Sequence, residues 1–187
     1  MKLYVVRHGQ TDWNLSEKVQ GRTDIELNQT GIEQAKQAKE NLSEIDFDLV
    51  ISSPLKRTRK TAEIINEDRH MPLIFDERLM ERGFGDVEGT TPSKTGVFKG
   101  VNIWNYNENI NYKNVEPIVE MCNRVWSFLD EIKEKYSEKN VLLVTHGGTM
   151  RIINAYFNGI NENGLLPRIE VLNCEVKEYE YAENLKK

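Results

Sequence analysis

The chain alternates short apolar runs with longer stretches in which apolar positions recur every three or four residues. Runs around 2–6, 48–52 and 141–145 are apolar and β-branched, which predicts strands buried on both faces, as in a parallel sheet. Leu73-Ile74-Phe75 adds a short one. Segments 168–172 and 175–181 predict two late strands joined through Asn173-Cys174. Helical periodicity follows most of these runs. Thr30-Gly31-Ile32-Glu33 has the Ser/Thr-x-x-Glu form of a capping box and predicts a helix to about Leu42. Pro54 stands at an early helical position, where its missing N–H costs nothing, and opens a segment to about Glu67. Pro117 opens a long amphipathic helix to about Tyr136, with Val125, Phe128, Leu129 and Ile132 on one stripe. A fourth helix is predicted over 148–157. Strands alternating with helices of this length define an α/β fold: a three-layer α/β/α sandwich with a mainly parallel central sheet.

The stretch from about 85 to 114 has no sustained period, but it holds much Asn and Gly together with Phe98, Trp104, Tyr106 and Tyr112. A loop this long inside a compact domain is usually functional. It reads as a lid-like insert within a single domain spanning 1–187; the alternative is a surface excursion whose aromatics anchor it to the body.

Two of the three histidines share one local setting. Leu3-Tyr4-Val5-Val6 runs into Arg7-His8-Gly9, and Val141-Leu142-Leu143-Val144 runs into Thr145-His146-Gly147. In open α/β sheets, ligands gather beyond the carboxyl ends of the strands. If the two strands are parallel neighbours, both imidazoles and Arg7 meet over one pocket, and that grouping points to phosphate chemistry. His70 lies in a polar connection and reads as an exposed loop residue.

The 187 residues are enough for one domain with a sizeable core. The net charge of −5 argues against nucleic acid as a partner, because backbone phosphates call for clustered Lys and Arg. Affinity for an anionic substrate must then come from a local pocket. Cys122 and Cys174 lack CxxC spacing and read as reduced structural thiols. No apolar stretch approaches the ~20 residues of a membrane span, and the strand at Lys2 leaves no room for a signal peptide, so no membrane partner and a cytoplasmic location are expected. Nothing in the sequence indicates an oligomeric state.

The run Val6-Arg7-His8-Gly9-Gln10-Thr11-Asp12-Trp13-Asn14 resembles the RHG motif of the histidine phosphatase superfamily, the phosphoglycerate mutase-like proteins of branch 1. Further blocks follow in the expected order: Gln20-Gly21, Ser52-Ser53-Pro54-Leu55-Lys56-Arg57, Leu79-Met80-Glu81-Arg82-Gly83-Phe84-Gly85, and Thr145-His146-Gly147-Gly148-Thr149-Met150-Arg151. The resemblance implies phosphoryl transfer through a phosphohistidine, with His8 as nucleophile and Glu81 as proton donor to the leaving oxygen. Asp86 and Glu88 are fallback acids. A carboxylic acid beside a bound phosphate should have its pKa raised, because like charges repel. Arg7 and Arg57 are the matching phosphate ligands, since a guanidinium fork suits two phosphate oxygens at once. Asn14 and the Gln20-Gly21 turn are the expected neutral donors. Gly9 and Gly147 are expected to let backbone N–H groups approach the anion, and the helix near Gly148 to aim its positive end at it. His146 is expected to hold the transferring phosphoryl group, most usefully as the imidazolium. Among the remaining arginines, Arg82 is expected to reach substrate, whereas Arg22, Arg59 and Arg151 read as surface or helix-face residues.

The resemblance leaves phosphatase and mutase open. A mutase must bind a second acidic group, and between Arg82 and Arg124 this chain has only Lys94, Lys99 and Lys113. Phe84 also stands where the cofactor-dependent phosphoglycerate mutases carry a Tyr. Both features favour a phosphomonoester hydrolase acting on a small phosphorylated metabolite. Trp104, Tyr106 and Tyr112 suggest stacking on a planar leaving group. A non-catalytic phosphate-sensing or protein-binding relative is the alternative of another class. No metal or other cofactor is expected, since the histidines lack HxxxH spacing or a carboxylate cluster.

Overall fold

In the computed structural model, residues 1–107 and 112–181 are described. The sheet has five strands: β1 (Lys2–Arg7), β2 (Leu49–Ser52), β3 (Leu73–Phe75), β4 (Asn140–Thr145) and β5 (Val176–Glu180). They lie in the order β3-β2-β4-β1-β5. The first four are mutually parallel and β5 runs antiparallel to β1 at the edge. Among the described residues six α-helices accompany them: α1 (Asp12–Leu15), α2 (Gln29–Asn41), α3 (Lys56–Asn66), α4 (Pro92–Thr95), α5 (Ile118–Lys135) and α6 (Gly147–Asn158).

Side chains alternate across a strand, so each central strand supplies two cores. Leu3, Val5, Ile51 and Leu143 pack with Val125, Phe128, Leu129 and Ile132 of α5 and with α6. Tyr4, Val6, Val50 and Val144 pack on the opposite face against Ala38 of α2 and Ala62 and Ile65 of α3. These are the three expected layers. The chain leaves β1 for α2 on one face and β4 for α6 on the other, while β1 and β4 are hydrogen-bonded neighbours with Arg7 opposite Thr145. A crevice therefore opens beyond their carboxyl ends, at the switch point where such folds bind ligands.

Two expectations need correction, the helix cap and the first late strand. The N-cap of α2 is Asn28, whose side chain accepts from the Gly31 N–H at 2.9 Å, so the helix starts before Thr30 and the Thr30–Glu33 box does not form. Segment 168–172 is not a strand. The chain beside the end of β1 is instead a turn: Cys174 N–H donates to the Arg7 carbonyl at 2.9 Å, and Asn173 Nδ2 donates to the His8 carbonyl at 2.8 Å. In the 85–114 stretch, of which 108–111 lie outside the described residues, the aromatics have separate duties. Phe98, Trp104 and Tyr112 join Phe84, Val87, Ile103 and Val115 in a small apolar cluster, whereas Tyr106 stacks on Trp126 with ring centroids 5.9 Å apart.

Candidate active site

The register of β1 on β4 sets the two histidines side by side. His8 N–H continues the ladder to the Thr145 carbonyl at 2.9 Å, and the imidazole centroids are 5.3 Å apart. Both rings are buried, His8 at 3% exposure and His146 at 0%. The Nδ1 of His8 lies 2.7 Å from the Gly9 carbonyl, which can only accept, so Nδ1 carries the proton and Nε2 keeps its lone pair. His146 has the opposite arrangement. Its Nε2 is 2.9 Å from Ser53 Oγ, at the end of β2, while its Nδ1 has no protein partner. Leu55 N–H donates to Ser53 Oγ at 3.5 Å, and with the hydroxyl hydrogen directed to His146 Nε2 the ring proton sits on Nδ1.

Burial holds both pKa values well below the ordinary 6.5, and neighbouring charge adds to the effect: Arg57 then Arg7 on His8, and Arg57, His8, Arg124 and Arg7 on His146. The expected imidazolium at position 146 is therefore not the resting form. A ring sealed among guanidinium groups stays neutral.

Arg7 and Arg57 frame the histidines. The Nη1 of Arg7 donates to the Val171 carbonyl at 2.7 Å; Arg57 donates from Nη1 to the Thr23 carbonyl at 2.9 Å and from Nη2 to the Gly21 carbonyl at 2.7 Å. The forks are thus partly engaged in holding loops, yet Nε of each arginine is buried without a protein partner. Among the described residues four buried side-chain N or O atoms are unpaired: Arg7 Nε, Arg57 Nε, His146 Nδ1 and Gln20 Oε1. Arg7, Gln20 and Arg57 line one cavity of about 360 Å³ together with His8, and the fourth atom belongs to the ring beside His8. Each buried donor left unpaired costs about 1–3 kcal/mol, so two guanidinium Nε groups, both on residues that line one cavity, mark an oxygen-rich, anionic occupant.

Glu81 also lines the cavity. Its Oε1 accepts from Arg82 N–H at 2.8 Å and its Oε2 from Gly148 N–H at 3.0 Å, at the first turn of α6. The positive end of that helix thus meets Glu81. A Cβ at position 148 would lie 2.3 Å from Glu81 Oε1, so any larger residue there has to push the carboxylate aside. Asn14 lines the cavity as expected, and the capping of α1 orients it. Its Oδ1 accepts from Thr11 N–H at 3.1 Å, which leaves Nδ2 as its donor. Gln20, Gly21 and Gly147 line the cavity too. Gly21 has φ +54°, and a Cβ there would lie 1.9 Å from Glu88 Oε1. Gly9 does not offer its N–H to the pocket; that group donates to Thr61 Oγ1 at 3.1 Å.

Arg82 departs from its expected role. It is 2% exposed, and its guanidinium donates to the carbonyls of Glu116 (2.8 Å) and Ile103, tying two loops together away from the cavity wall. The fallback acids have structural duties as well. Glu88 accepts from Arg22, Thr23 and Phe84 N–H groups at 2.9 Å, and Asp86 accepts from Asn114 Nδ2 at 3.0 Å. Of the three aromatics expected to stack on substrate, only Trp104 lines the cavity; Tyr106 lies on Trp126, and Tyr112 OH donates to the Val97 carbonyl. Four residues were missed. Ser53 sat inside a recognised block without a role, and the spacing of Lys18, Arg151 and Arg168 carries no signal of their convergence at the cavity mouth.

Comparison with known proteins shows the family of the chain. The histidine phosphatase superfamily (branch 1) matches residues 3–187. An uncharacterized phosphatase, PhoE, of Bacillus subtilis is 37% identical over 179 residues, covering 96% of this chain and 88% of that protein. A probable phosphoglycerate mutase, GpmB, of Escherichia coli is 30% identical, covering 99% of this chain and 87% of that protein. A solved structure of a phosphoserine phosphatase from Entamoeba histolytica superposes with a TM-score of 0.83 at 27% identity, over 97% of this chain and 91% of that one.

Proposed function

Because the chain belongs to the histidine phosphatase superfamily (branch 1), we propose that it hydrolyses small phosphomonoesters through a phosphohistidine at His8. The observation that carries this reading is a pair of unpaired guanidinium Nε groups, on Arg7 and Arg57, in the residues that line one cavity with His8, whose Nδ1 is tied to a carbonyl and whose ring lies 5.3 Å from that of His146. A phosphate dianion supplies the oxygens those donors lack.

The steps follow from the tautomers. His8 Nε2 attacks phosphorus in line with the ester oxygen. The positive charge that develops on the ring is stabilised by the Nδ1–H bond to the Gly9 carbonyl. The two arginines and the neutral Nδ1–H of His146 stabilise the equatorial oxygens. Glu81, entering protonated, gives its proton to the departing alkoxide, so the ester becomes an alcohol and His8 carries the phosphoryl group. Water then attacks phosphorus while the Glu81 carboxylate takes its proton. Inorganic phosphate leaves, and His8 and Glu81 return to their starting states. A neutral nucleophile in mildly acidic solution supports the acid-phosphatase type of this chemistry.

A mutase is the second reading, and one observation favours it. Lys18, Arg151 and Arg168 bring to the cavity the cations that Lys94, Lys99 and Lys113 do not. Rapid acid-free quenching with labelled substrate should trap a base-stable phosphoenzyme in the wild type and none in His8→Ala. Full turnover by His8→Ala would sink the proposal. Incubating 3-phosphoglycerate with and without the 2,3-bisphosphate separates phosphate release from isomer formation.

A further inference from the structure

The outer wall of the cavity carries charge that the phosphoryl steps do not use. Arg151 on α6 and Arg168 on the irregular segment after it both line the cavity, with Lys18 from the turn after α1. Arg151 is held in place, its Nε 3.2 Å from the Leu166 carbonyl and its guanidinium 4.8 Å over the Trp104 ring. Arg168 has an 81% exposed side chain and faces Glu170 at 3.7 Å. Such an exposed pair contributes little, so Arg168 is free to turn toward a ligand. Burial and the charge of Arg168 both depress the pKa of Arg151, so an incoming anion would relieve a like-charge contact. Trp104 meets Arg82 at 5.3 Å as well as Arg151, so guanidinium groups already occupy its π-surface and a planar leaving group has to displace Arg151 to stack.

We propose that Arg151 and Arg168, assisted by Lys18, form a second anion subsite that selects phosphomonoesters whose leaving group carries its own acidic group, a carboxylate or a second phosphate. The inference rests on the hydrolase reading for its reaction, though not for its binding.

The test is calorimetric titration of the His8→Ala protein, which needs no turnover. The ligands are 3-phosphoglycerate and glycerol 3-phosphate, which differ only in a carboxylate replaced by hydroxymethyl. A charge-assisted contact predicts roughly ten-fold or tighter binding of the carboxylate compound. That advantage should shrink in Arg168→Ala and vanish in the Arg151→Gln/Arg168→Ala double variant, each made in the His8→Ala background. Fructose 1,6-bisphosphate against fructose 6-phosphate asks the same of a second phosphate; selectivity in either pair supports the subsite and identifies its group. Equal affinities within both pairs, an advantage untouched by the double variant, or tighter binding of phenyl phosphate than of 3-phosphoglycerate overturns it. Selective binding by a protein that hydrolyses no ester would uphold the subsite and refute the hydrolase reading; hydrolysis without selectivity would do the reverse.

Discussion

At the scale of single residues, the two imidazoles differ in which ring nitrogen the fold ties down. A backbone carbonyl holds Nδ1 of His8 and frees Nε2; a serine hydroxyl holds Nε2 of His146 and frees Nδ1. Ser53→Ala removes the group that orients His146 without touching the nucleophile. It should lower kcat roughly ten-fold, the effect of about one hydrogen bond, with a smaller change in KM and an unchanged phosphoenzyme linkage. Steady-state kinetics on p-nitrophenyl phosphate checks this, and a rise in KM alone would contradict it. His8, Arg7 and Glu81 were legible in sequence because each sits inside a contiguous motif at a strand end or loop. Ser53 was not, since its partner lies 93 residues away. Arg82 and Arg151 exchanged roles for a related reason. Which arginine is buried depends on where the Glu116, Ile103 and Leu166 carbonyls come to lie, and no local pattern encodes that.

At the scale of elements, the start of α6 couples helix geometry to acid–base chemistry. Gly148 N–H holds Glu81, and a methyl group at 148 would collide with the same carboxylate. Gly148→Ala should therefore mimic Glu81→Gln. Both should lose about 10²–10⁴-fold in kcat/KM on alkyl phosphates, and much less on p-nitrophenyl phosphate, whose leaving group needs no proton. A Gly148→Ala protein with equal losses on both substrates would refute this coupling. The periodic segments α2, α3, α5 and α6 were readable from sequence to within a few residues, because one apolar face decides them. Their caps were less so: Asn28 outcompetes Thr30 through its own side chain, which also donates to Gln10 Oε1 at 3.0 Å. The alternation over 168–172 resembles a strand, yet Arg168, Ile169 and Val171 wall the cavity, because the neighbouring turn already occupies the end of β1.

At the scale of the whole molecule, two buried neutral histidines make stability depend on pH. Their folded pKa values lie well below 6.5, so between that value and the folded ones the unfolded chain binds protons that the native state refuses. Stability from this source is complete above about pH 6.5 and is lost as pH falls through the folded values. The melting temperature should therefore drop on acidification below about 6.5, and His8→Ala should flatten that slope. An acid slope unchanged in His8→Ala would show that other groups dominate. Inorganic phosphate should restore stability at the acid side, because it binds only the folded pocket.

The clasp on β1 has a temporal side. Arg7 is fastened to Val171 across 164 residues, and the turn that grips the His8 carbonyl follows directly on that segment. During synthesis the nucleophile is made more than 160 residues before its fastening. A ribosome-bound chain halted near residue 165 would already display His8, Arg57 and Glu81 without this clamp, with His146 still inside the exit tunnel. Competence should then arrive abruptly once residues 171–174 have emerged and their turn closes over β1.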